Sequence, residues 1–290
     1  MTNTTNPLDY VEMAKTLTGS SDIDIILDAA TKLNQYTGNI SITEPIVEWV
    51  PQKFESFLKY ISHAVLYQGV VPFKPYDFQK EFARTLNDRS FVVHCTSRQM
   101  GTTLMLASFA LWFALSSRKQ KIIFATNRSI MSKEIIDRIR VISERLPMTF
   151  NGFEDGGKPF ELSYQNGSKI SFRPYSTFQG ESFDDVDLII LHDVAFCSDA
   201  YGEHIKAGLG IASNNGTKII ASSCPARPSE TQPQGLFWDL WTTAAYDERV
   251  HHPWTVHSGR TEEWISQIRA HLGPEAFARE FEARFTSYPK

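Results

Sequence analysis

The chain has 290 residues, of which 42% are hydrophobic and 21% charged, and its net charge is -4. This composition is typical of a soluble globular protein that is long enough to bury a full core. The slightly acidic balance gives no overall attraction to nucleic acid, so any DNA contact would need a local basic patch. Three cysteines without metal-ligand spacing indicate reduced thiols in a cytosolic compartment, and neither a signal peptide nor a membrane span is predicted.

The predicted elements begin with a polar region, residues 1 to about 45, that contains one amphipathic helix around 23–33. A helical pattern rich in aromatic residues follows at 46–68. Strands are predicted at 91–95, 121–125, 187–191, 217–221 and 253–257, and helices at 103–116, 129–145, 235–246 and 261–271. Asn166-Gly167 predicts the turn of a hairpin at 160–174. The alternation predicts an α/β fold with a doubly wound, mostly parallel sheet and helices on both faces.

Residues 95–103 look like a phosphate-binding loop that lacks its lysine. An apolar run at 91–93 leads into the loop, and a helix-like apolar run follows it. Strand, glycine turn and helix start form the context in which backbone N–H groups hold a triphosphate. The glycine of such a loop is normally followed by Lys and then Ser or Thr, whereas Gly101 is followed by Thr102 and Thr103. An ordinary strand-to-helix turn also fits these residues.

His192 and Asp193 follow four apolar residues, which is the layout of a buried strand that ends beside a nucleotide. At such a strand end a first carboxylate normally holds Mg²⁺ and a second normally orients the attacking water. Taken alone, the same residues are equally consistent with a core strand that ends in a polar turn.

Three further patterns carry weaker signals. The amide of Gln79 can pair with an adenine edge, although a surface glutamine on an amphipathic helix is the simpler interpretation. A strand ends in Ser222-Ser223-Cys224-Pro225, where hydroxyls could sense a terminal phosphate or merely precede a proline turn. The histidines at 251, 252 and 257 are interpreted as surface residues flanking an edge strand, because no nearby carboxylate or Cys completes a metal shell.

Together these motifs resemble the ATPase domain of the large terminase subunit of tailed bacteriophages, the motor that pumps DNA into procapsids. The similarity runs from about residue 48 to 285, with six motifs in register. Residues 76–79 resemble the family's adenine motif, 97–103 its Ser-Arg-Gln-x-Gly-Lys-Thr loop, 180–183 and 195–196 the segments around its acidic strand, 222–225 its coupling motif, and 277–281 the segment that closes the domain.

The resemblance implies a P-loop NTPase fold and a set of site residues. It implies ATP binding by Gln79, Ser97, Arg98, Gln99, Met100, Gly101, Thr102 and Thr103, metal binding by Thr103, His192 and Asp193, catalysis by Asp193, Arg98 and Gln179, and coupling by Ser222, Ser223 and Cys224. Residues 1–68 would form a small helical region that packs on a P-loop domain at 69–290, and the family's nuclease domain has no counterpart.

The implied partners are viral double-stranded DNA, the portal and other terminase subunits, with a ring as one arrangement and no membrane. The implied location is the host cytoplasm and, transiently, the procapsid. ATP is the implied cofactor, bound with or without turnover, and the use of Mg²⁺ is left open.

Four substitutions affect the most charge-dependent positions of the family pattern and leave degenerate Walker A and Walker B motifs. Thr102 replaces the loop Lys, Gln179 an Arg, His192 the metal-binding Asp, and Asp193 the catalytic Glu. A lysine charge 4 Å from a phosphate contributes about 4 kcal/mol at an effective dielectric of about 20. Imidazole is a poor ligand for Mg²⁺, and a misplaced water costs about a hundredfold in rate.

These changes predict a nucleotide-binding or regulatory motor subunit that hydrolyses ATP weakly or not at all. One alternative is an interaction protein with a vestigial nucleotide cleft. Another is a working packaging ATPase that uses Arg98 and Asp193, with the nuclease on a separate chain.

Overall fold

The computed structural model describes residues 50–61, 63–66, 69–146, 153–154, 158–178, 183–226 and 235–286. The helices are α1 Phe54–Phe57, α2 Asp77–Asp88, α3 Thr102–Ser116, α4 Ser129–Ser143, α5 Asp199–Asn214, α6 Gly235–Thr243, α7 Glu262–Leu272 and α8 Pro274–Glu280. The strands are β1 His63–Leu66, β2 Gly69–Pro72, β3 Phe91–Thr96, β4 Lys121–Thr126, β5 Phe153–Glu154, β6 Glu161–Tyr164, β7 Lys169–Pro174, β8 Leu188–His192, β9 Lys218–Ser223 and β10 Arg249–His252.

The main sheet has eight strands in the order β10-β3-β9-β8-β4-β7-β6-β5. The pairs from β10 to β7 are parallel, and β6 and β5 extend that sheet as antiparallel strands. A separate hairpin joins β1 to β2. One strand, β9, therefore separates the strand that leads into the 97–101 loop from the strand that ends at His192. The predicted α/β fold with a mostly parallel sheet is confirmed.

Helices cover both faces of the sheet because successive residues of its strands point to opposite sides. Val92 belongs to a core that contains residues of α1 to α4, whereas Val93 belongs to a second core with residues of α5 and α6. The α3 helix is apolar around nearly its whole circumference, and eleven of its residues are buried. An apolar helix of this kind belongs inside a domain, where it packs against the sheet and neighbouring helices.

Most predicted elements are confirmed to within three residues at each end, including the hairpin around Asn166-Gly167. The strand predicted at 253–257 is wrong. The edge strand is β10, and residues 254–256 form a 3₁₀ turn. Proline has no N–H to give to a strand ladder, so pairing ends before Pro253. The prediction that His252 lies on the surface is also wrong, because its side chain is buried.

Two further corrections concern helices. The helical pattern predicted at 46–68 is wrong at 63–66, which form β1, and residues 46–49, 62, 67 and 68 lie outside the described residues. The α5 helix was not predicted, because its glycines weaken the helical signal. The helix predicted around 23–33 lies outside the described residues.

In the part of the chain that the structure covers, no helix combines the length and the apolar character that crossing a membrane requires.

Candidate nucleotide site

The loop between β3 and α3 has the geometry of an anion cradle. Gln99 and Gly101 have left-handed backbones, with φ of 59° and 74°. A chain turned in this way directs backbone N–H groups toward a common point. Because Gly101 is the N-cap of α3, the N–H groups of Thr102 and Thr103 have no partner within the helix. Residues predicted to bind phosphate are therefore brought together at a helix start, where negative charge is favoured.

The buried side chain of Gln79 supports this loop through a hydrogen bond. Its Nε2 donates to the carbonyl of Met100 at 2.9 Å, and its Oε1 accepts the N–H of Tyr76 at 3.0 Å. The residue is only 4% exposed, so the surface-glutamine interpretation is wrong. A Cβ added at Gly101 would lie 2.6 Å from Gln79 Nε2, which shows how closely the amide approaches the loop. Contact with an adenine edge stays a prediction.

The first two residues of the loop, Ser97 and Arg98, are held by residues from the last described range of the chain, 235–286. The N–H of Ser97 donates to the carbonyl of His252 at 2.8 Å, and the N–H of Arg98 donates to the carbonyl of Glu280, also at 2.8 Å. Arg260 donates to Ser97 Oγ at 3.1 Å and to the carbonyl of Arg98 at 2.6 Å. These contacts involve only the start of the loop, so the end that adjoins α3 is left to face a ligand.

The guanidinium of Arg98 is occupied by a neighbouring carboxylate. Its Nε lies 2.8 Å from Glu280 Oε2, and its Cζ lies 5.9 Å from the centre of the Phe196 ring. The side chain of Arg98 is 48% exposed, and an ion pair in such a position contributes at most about 1 kcal/mol. Arg98 can therefore reach a phosphate only after it leaves Glu280.

The sequence resemblance predicts that His192 replaces a metal-binding carboxylate of the family pattern. Its Nε2 lies 2.9 Å from Thr103 Oγ1, so the strand end and the first turn of α3 are joined by a hydrogen bond between uncharged side chains. Burial lowers the pKa of His192 below its ordinary value, while Asp193 opposes this shift and Arg138 adds to it. The imidazole is consequently neutral at neutral pH.

Asp193 follows directly in a left-handed conformation, with φ of 56°. This backbone is uncommon for residues other than glycine and recurs at functional sites. The N–H of Asp193 donates to the carbonyl of Ser222 at 2.8 Å, and the hydroxyl of Tyr175 donates to the carbonyl of His192 at 2.9 Å. These bonds hold a carboxylate that is 37% exposed beside the imidazole.

The three predicted coupling residues lie next to this strand end, since His192 and Ser222 are paired in register. All three are buried. Ser223 Oγ donates to the carbonyl of Cys224 at 2.8 Å and accepts the N–H of Ala195 at 3.3 Å. The hydroxyls of Ser222 and Ser223 are thus already bonded within the protein. Gln179 and residues 180–182 lie outside the described residues.

A pair of buried histidines was missed by the sequence interpretation. His94 Nδ1 lies 3.1 Å from Ser222 Oγ, and His94 Nε2 lies 3.0 Å from His252 Nδ1. Burial lowers the pKa of His94 well below its ordinary value and lowers that of His252 to about 4. The only signal in the sequence was a histidine within the apolar run of β3.

The residues present do not fit Mg²⁺, which the fold type implies. Mg²⁺ prefers oxygen ligands in octahedral geometry, whereas the strand end presents one imidazole and one carboxylate. Across the described ranges, no group of three or more His, Cys, Asp and Glu side chains is arranged to hold a metal ion.

Comparison with known proteins adds the fold relationship. No family model matches the sequence. A mutant form of the Thermus phage P74-26 large terminase ATPase domain superposes with a TM-score of 0.60 at 17% identity, covering 80% of this chain and 98% of that chain. The chain has the fold of a phage large terminase ATPase domain. The predicted resemblance and the predicted P-loop NTPase fold are confirmed.

Two longer terminases share this fold. The large terminase of bacteriophage HK97 gives a TM-score of 0.59 at 15% identity, with 79% of this chain and 54% of that chain covered. The large terminase of a thermophilic bacteriophage, in complex with ADP, gives 0.55 at 14% identity, with 73% and 54% covered. The terminase-like chain therefore spans about half the length of these two proteins.

Proposed function

We propose that this protein is a large-terminase ATPase-domain protein of viral DNA packaging that binds nucleotide and hydrolyses it weakly or not at all. The observation that carries the proposal is the 2.9 Å hydrogen bond between Thr103 Oγ1 and His192 Nε2. On this proposal, two uncharged groups occupy the position where this fold normally brings a metal ion to a phosphate. The cradle is preserved and the charges that drive turnover are replaced.

Nucleotide binding is supported by the backbone of the loop. The N–H groups at the start of α3 are oriented before any ligand arrives, so their alignment costs no reorganisation when a phosphate binds. Structures of the large terminase from the thermophilic bacteriophage contain ADP or ATP-gamma-S, and we extend nucleotide binding to this chain by analogy. Gln79 is proposed to face the base, and Ser222, Ser223 and Cys224 to respond to the terminal phosphate.

Slow turnover follows from three substitutions. Thr102 supplies no charge, and a lysine at that position would contribute about 4 kcal/mol at 4 Å. His192 replaces the carboxylate that would hold Mg²⁺. Asp193 is one methylene shorter than the expected Glu, and a misplaced attacking water costs about a hundredfold. The ion pair of Arg98 with Glu280 opposes the alternative in which Arg98 replaces the missing lysine.

The partners are proposed on the same basis. Viral double-stranded DNA and the portal or a catalytic terminase subunit are the expected contacts, in a ring that assembles at the procapsid in the host cytoplasm. We further propose that Gln179 occupies an arginine position of the family, and that residues 1–68 form an N-terminal region that packs on a P-loop domain at 69–290.

The test is a titration of the full chain with a fluorescent, non-hydrolysable ATP analogue, with Mg²⁺ and with EDTA, alongside a phosphate-release assay. We expect binding that changes little when Mg²⁺ is removed, together with very slow phosphate release. Rapid Mg²⁺-dependent turnover would show that the proposed weak or absent ATP hydrolysis is wrong. Failure to bind in both conditions would favour the interaction protein with a vestigial cleft.

A further inference from the structure

A hydrogen-bonded chain of three side chains crosses the sheet next to the phosphate loop. Ser222 Oγ lies 3.1 Å from His94 Nδ1, and His94 Nε2 lies 3.0 Å from His252 Nδ1. These residues belong to β9, β3 and β10, which are adjacent strands, and all three are buried. The chain therefore lies in a part of the protein where an unpaired polar atom is costly.

Each end of this chain is tied by its backbone to the candidate nucleotide site. The carbonyl of Ser222 accepts the N–H of Asp193, and Ser222 is paired in register with the last residue of β8. The carbonyl of His252 accepts the N–H of Ser97, the first residue of the loop. His94 thus connects the strand end that carries the predicted coupling residues with the start of the phosphate loop.

The hydroxyl of Ser222 determines the direction of these hydrogen bonds in the free protein. Within the described residues, His94 Nδ1 is its only hydrogen-bond partner. A buried hydroxyl proton without an acceptor is unfavourable, so Ser222 donates to Nδ1. The single proton of the neutral His94 ring then lies on Nε2 and is donated to His252 Nδ1. Burial favours neutral rings, because it lowers the pKa of both histidines.

We propose that His94 is a positioning residue that lets the Ser222 hydroxyl transfer its hydrogen bond from His94 to the terminal phosphate of a bound nucleotide. This inference rests on the proposed function, in which Ser222 responds to that phosphate. When the hydroxyl donates to a phosphate oxygen, the His94 ring carries its proton on Nδ1 and donates it to Ser222 Oγ. His94 Nε2 then accepts from His252 Nδ1, so both hydrogen bonds of the chain are reversed and neither is lost.

The reversal conserves protons. Ser222 passes its proton to His94 Nδ1, and His94 passes its Nε2 proton to His252 Nδ1. His252 releases its Nε2 proton to water, and Ser222 takes up one proton from water. Each ring carries one proton before and after the change, so neither histidine becomes charged.

The reversible chain gives the site a preference for a triphosphate over a diphosphate. If the hydroxyl had to give up its hydrogen bond in order to bind a phosphate, the lost bond would offset the new one. Because the imidazole changes from acceptor to donor, the new bond to a charged oxygen adds to the existing one. Aligned hydrogen bonds also strengthen one another. A diphosphate lacks the terminal phosphate and leaves the chain in its free state.

The test compares the dissociation constants of ADP and of the non-hydrolysable ATP analogue for the full chain and its variants. In His94→Asn the amide lies near the position of Nδ1 and presents either its oxygen or its NH₂ group to Ser222. In His94→Gln the amide lies near the position of Nε2 and reaches His252 instead. We expect the preference for the triphosphate to persist in His94→Asn and to fall about tenfold in His94→Gln and in Ser222→Ala. The control His204→Gln, at an exposed position of α5, should keep the wild-type preference.

Two further measurements separate a positioning role from simple support of the fold. His94→Asn and His94→Gln should lose similar amounts of stability in denaturant unfolding, so only the nucleotide preference distinguishes them. The ¹⁵N chemical shifts of labelled histidine should show the His94 proton on Nε2 in the free protein and with ADP. With the ATP analogue the proton should lie on Nδ1.

Three results would overturn the inference: an equal preference in wild type and His94→Gln, an equal loss of preference in His94→Asn and His94→Gln, or an unchanged His94 tautomer with the ATP analogue. If the wild type binds both nucleotides and one of these results is found, the role of His94 fails and the proposed function stands. If the wild type binds neither nucleotide, the proposed function fails and the role of His94 fails with it.

Discussion

Arg98 and Glu280 form an ion pair, Nε to Oε2, at 2.8 Å, while the N–H of Arg98 donates to the carbonyl of the same glutamate. The helix that ends the described fold therefore holds both the backbone and the charge of a phosphate-loop residue. A nucleotide phosphate would compete with the Glu280 carboxylate for that charge.

Replacing Glu280 with Gln should strengthen nucleotide binding. The amide keeps the size of the side chain and the backbone bond, but it releases the guanidinium of Arg98. Exposed ion pairs contribute about 0.2–1 kcal/mol, so the dissociation constant of the ATP analogue should fall by up to about fivefold. Fluorescence titration measures the change.

The matched control is Glu282→Gln, which breaks the nearby 3.2 Å pair with Arg284 and leaves Arg98 alone. The affinity of Glu282→Gln for the ATP analogue should equal that of the wild type. An equal gain in both variants would mean that the general loss of negative charge, not the release of Arg98, explains the result.

Thr102→Lys should restore a positive charge at the start of α3. The charge is expected to tighten binding of a triphosphate by tenfold or more, because each ~1.4 kcal/mol corresponds to a factor of ten. A diphosphate should gain less than a triphosphate. A larger gain for the triphosphate than for the diphosphate would therefore indicate that the lysine charge lies near the terminal phosphate.

Thr242→Lys adds the same charge at an exposed position of α6 and should have no such effect. Combining Thr102→Lys with His192→Asp should raise ATP turnover in the presence of Mg²⁺. An unchanged rate in the double variant would contradict the proposed cause of slow hydrolysis.

Gly101→Ala should disturb the loop through Gln79. The φ of 74° is unfavourable for alanine, and the added Cβ would lie 2.6 Å from Gln79 Nε2. We expect a loss of at least about 1 kcal/mol in the free energy of unfolding and weaker nucleotide binding. Chemical denaturation and the fluorescence titration measure the two effects.

Gly210→Ala serves as the control, because nothing lies within 4 Å of a Cβ at this exposed position of α5. It should stabilise the protein by about 0.5–1 kcal/mol through better helix propensity. A similar loss in both variants would indicate that close approach at Gly101 is unimportant.

The buried His94–His252 pair predicts acid sensitivity. Burial, together with His251, lowers the folded-state pKa of His252 from 6.5 to about 4. The unfolded chain therefore takes up protons first, so stability is present above about pH 6.5 and is lost as the pH falls toward 4. The loss approaches about 1.4 kcal/mol per pH unit for each such histidine.

Denaturant unfolding across this pH range measures the slope. His252→Gln should flatten it, whereas His204→Gln, at an exposed position of α5, should leave it as in the wild type. A slope that is identical in His252→Gln and the wild type would assign the acid sensitivity to other groups.

Local patterns predicted much of the fold and the position of the site. The apolar run that ends at His192 predicts a buried strand with a polar end, because residues adjacent in sequence determine both features. The glycine turn at Gly101 was likewise predictable from the residues next to it. The α5 helix escaped prediction because Gly202, Gly208 and Gly210 dilute its helical pattern.

The contacts that decide the chemistry could not be predicted in this way. His94 and His252 are 158 residues apart in sequence, and only the pairing of β3 with β10 brings them together. The left-handed backbone of Gln99 and the burial of Gln79 likewise follow from packing against distant segments. No local spacing rule anticipates such contacts.

The contacts between Ser97 and Arg260 span 163 residues, and those between Cys95 and Ala283 span 188. During synthesis, the ribosome therefore makes the loop more than 150 residues before the segment that steadies it. A nascent chain that stops before β10 carries a phosphate loop whose front half has no support. The loop thus gains its full set of contacts only after the segment from β10 to α8 has been made.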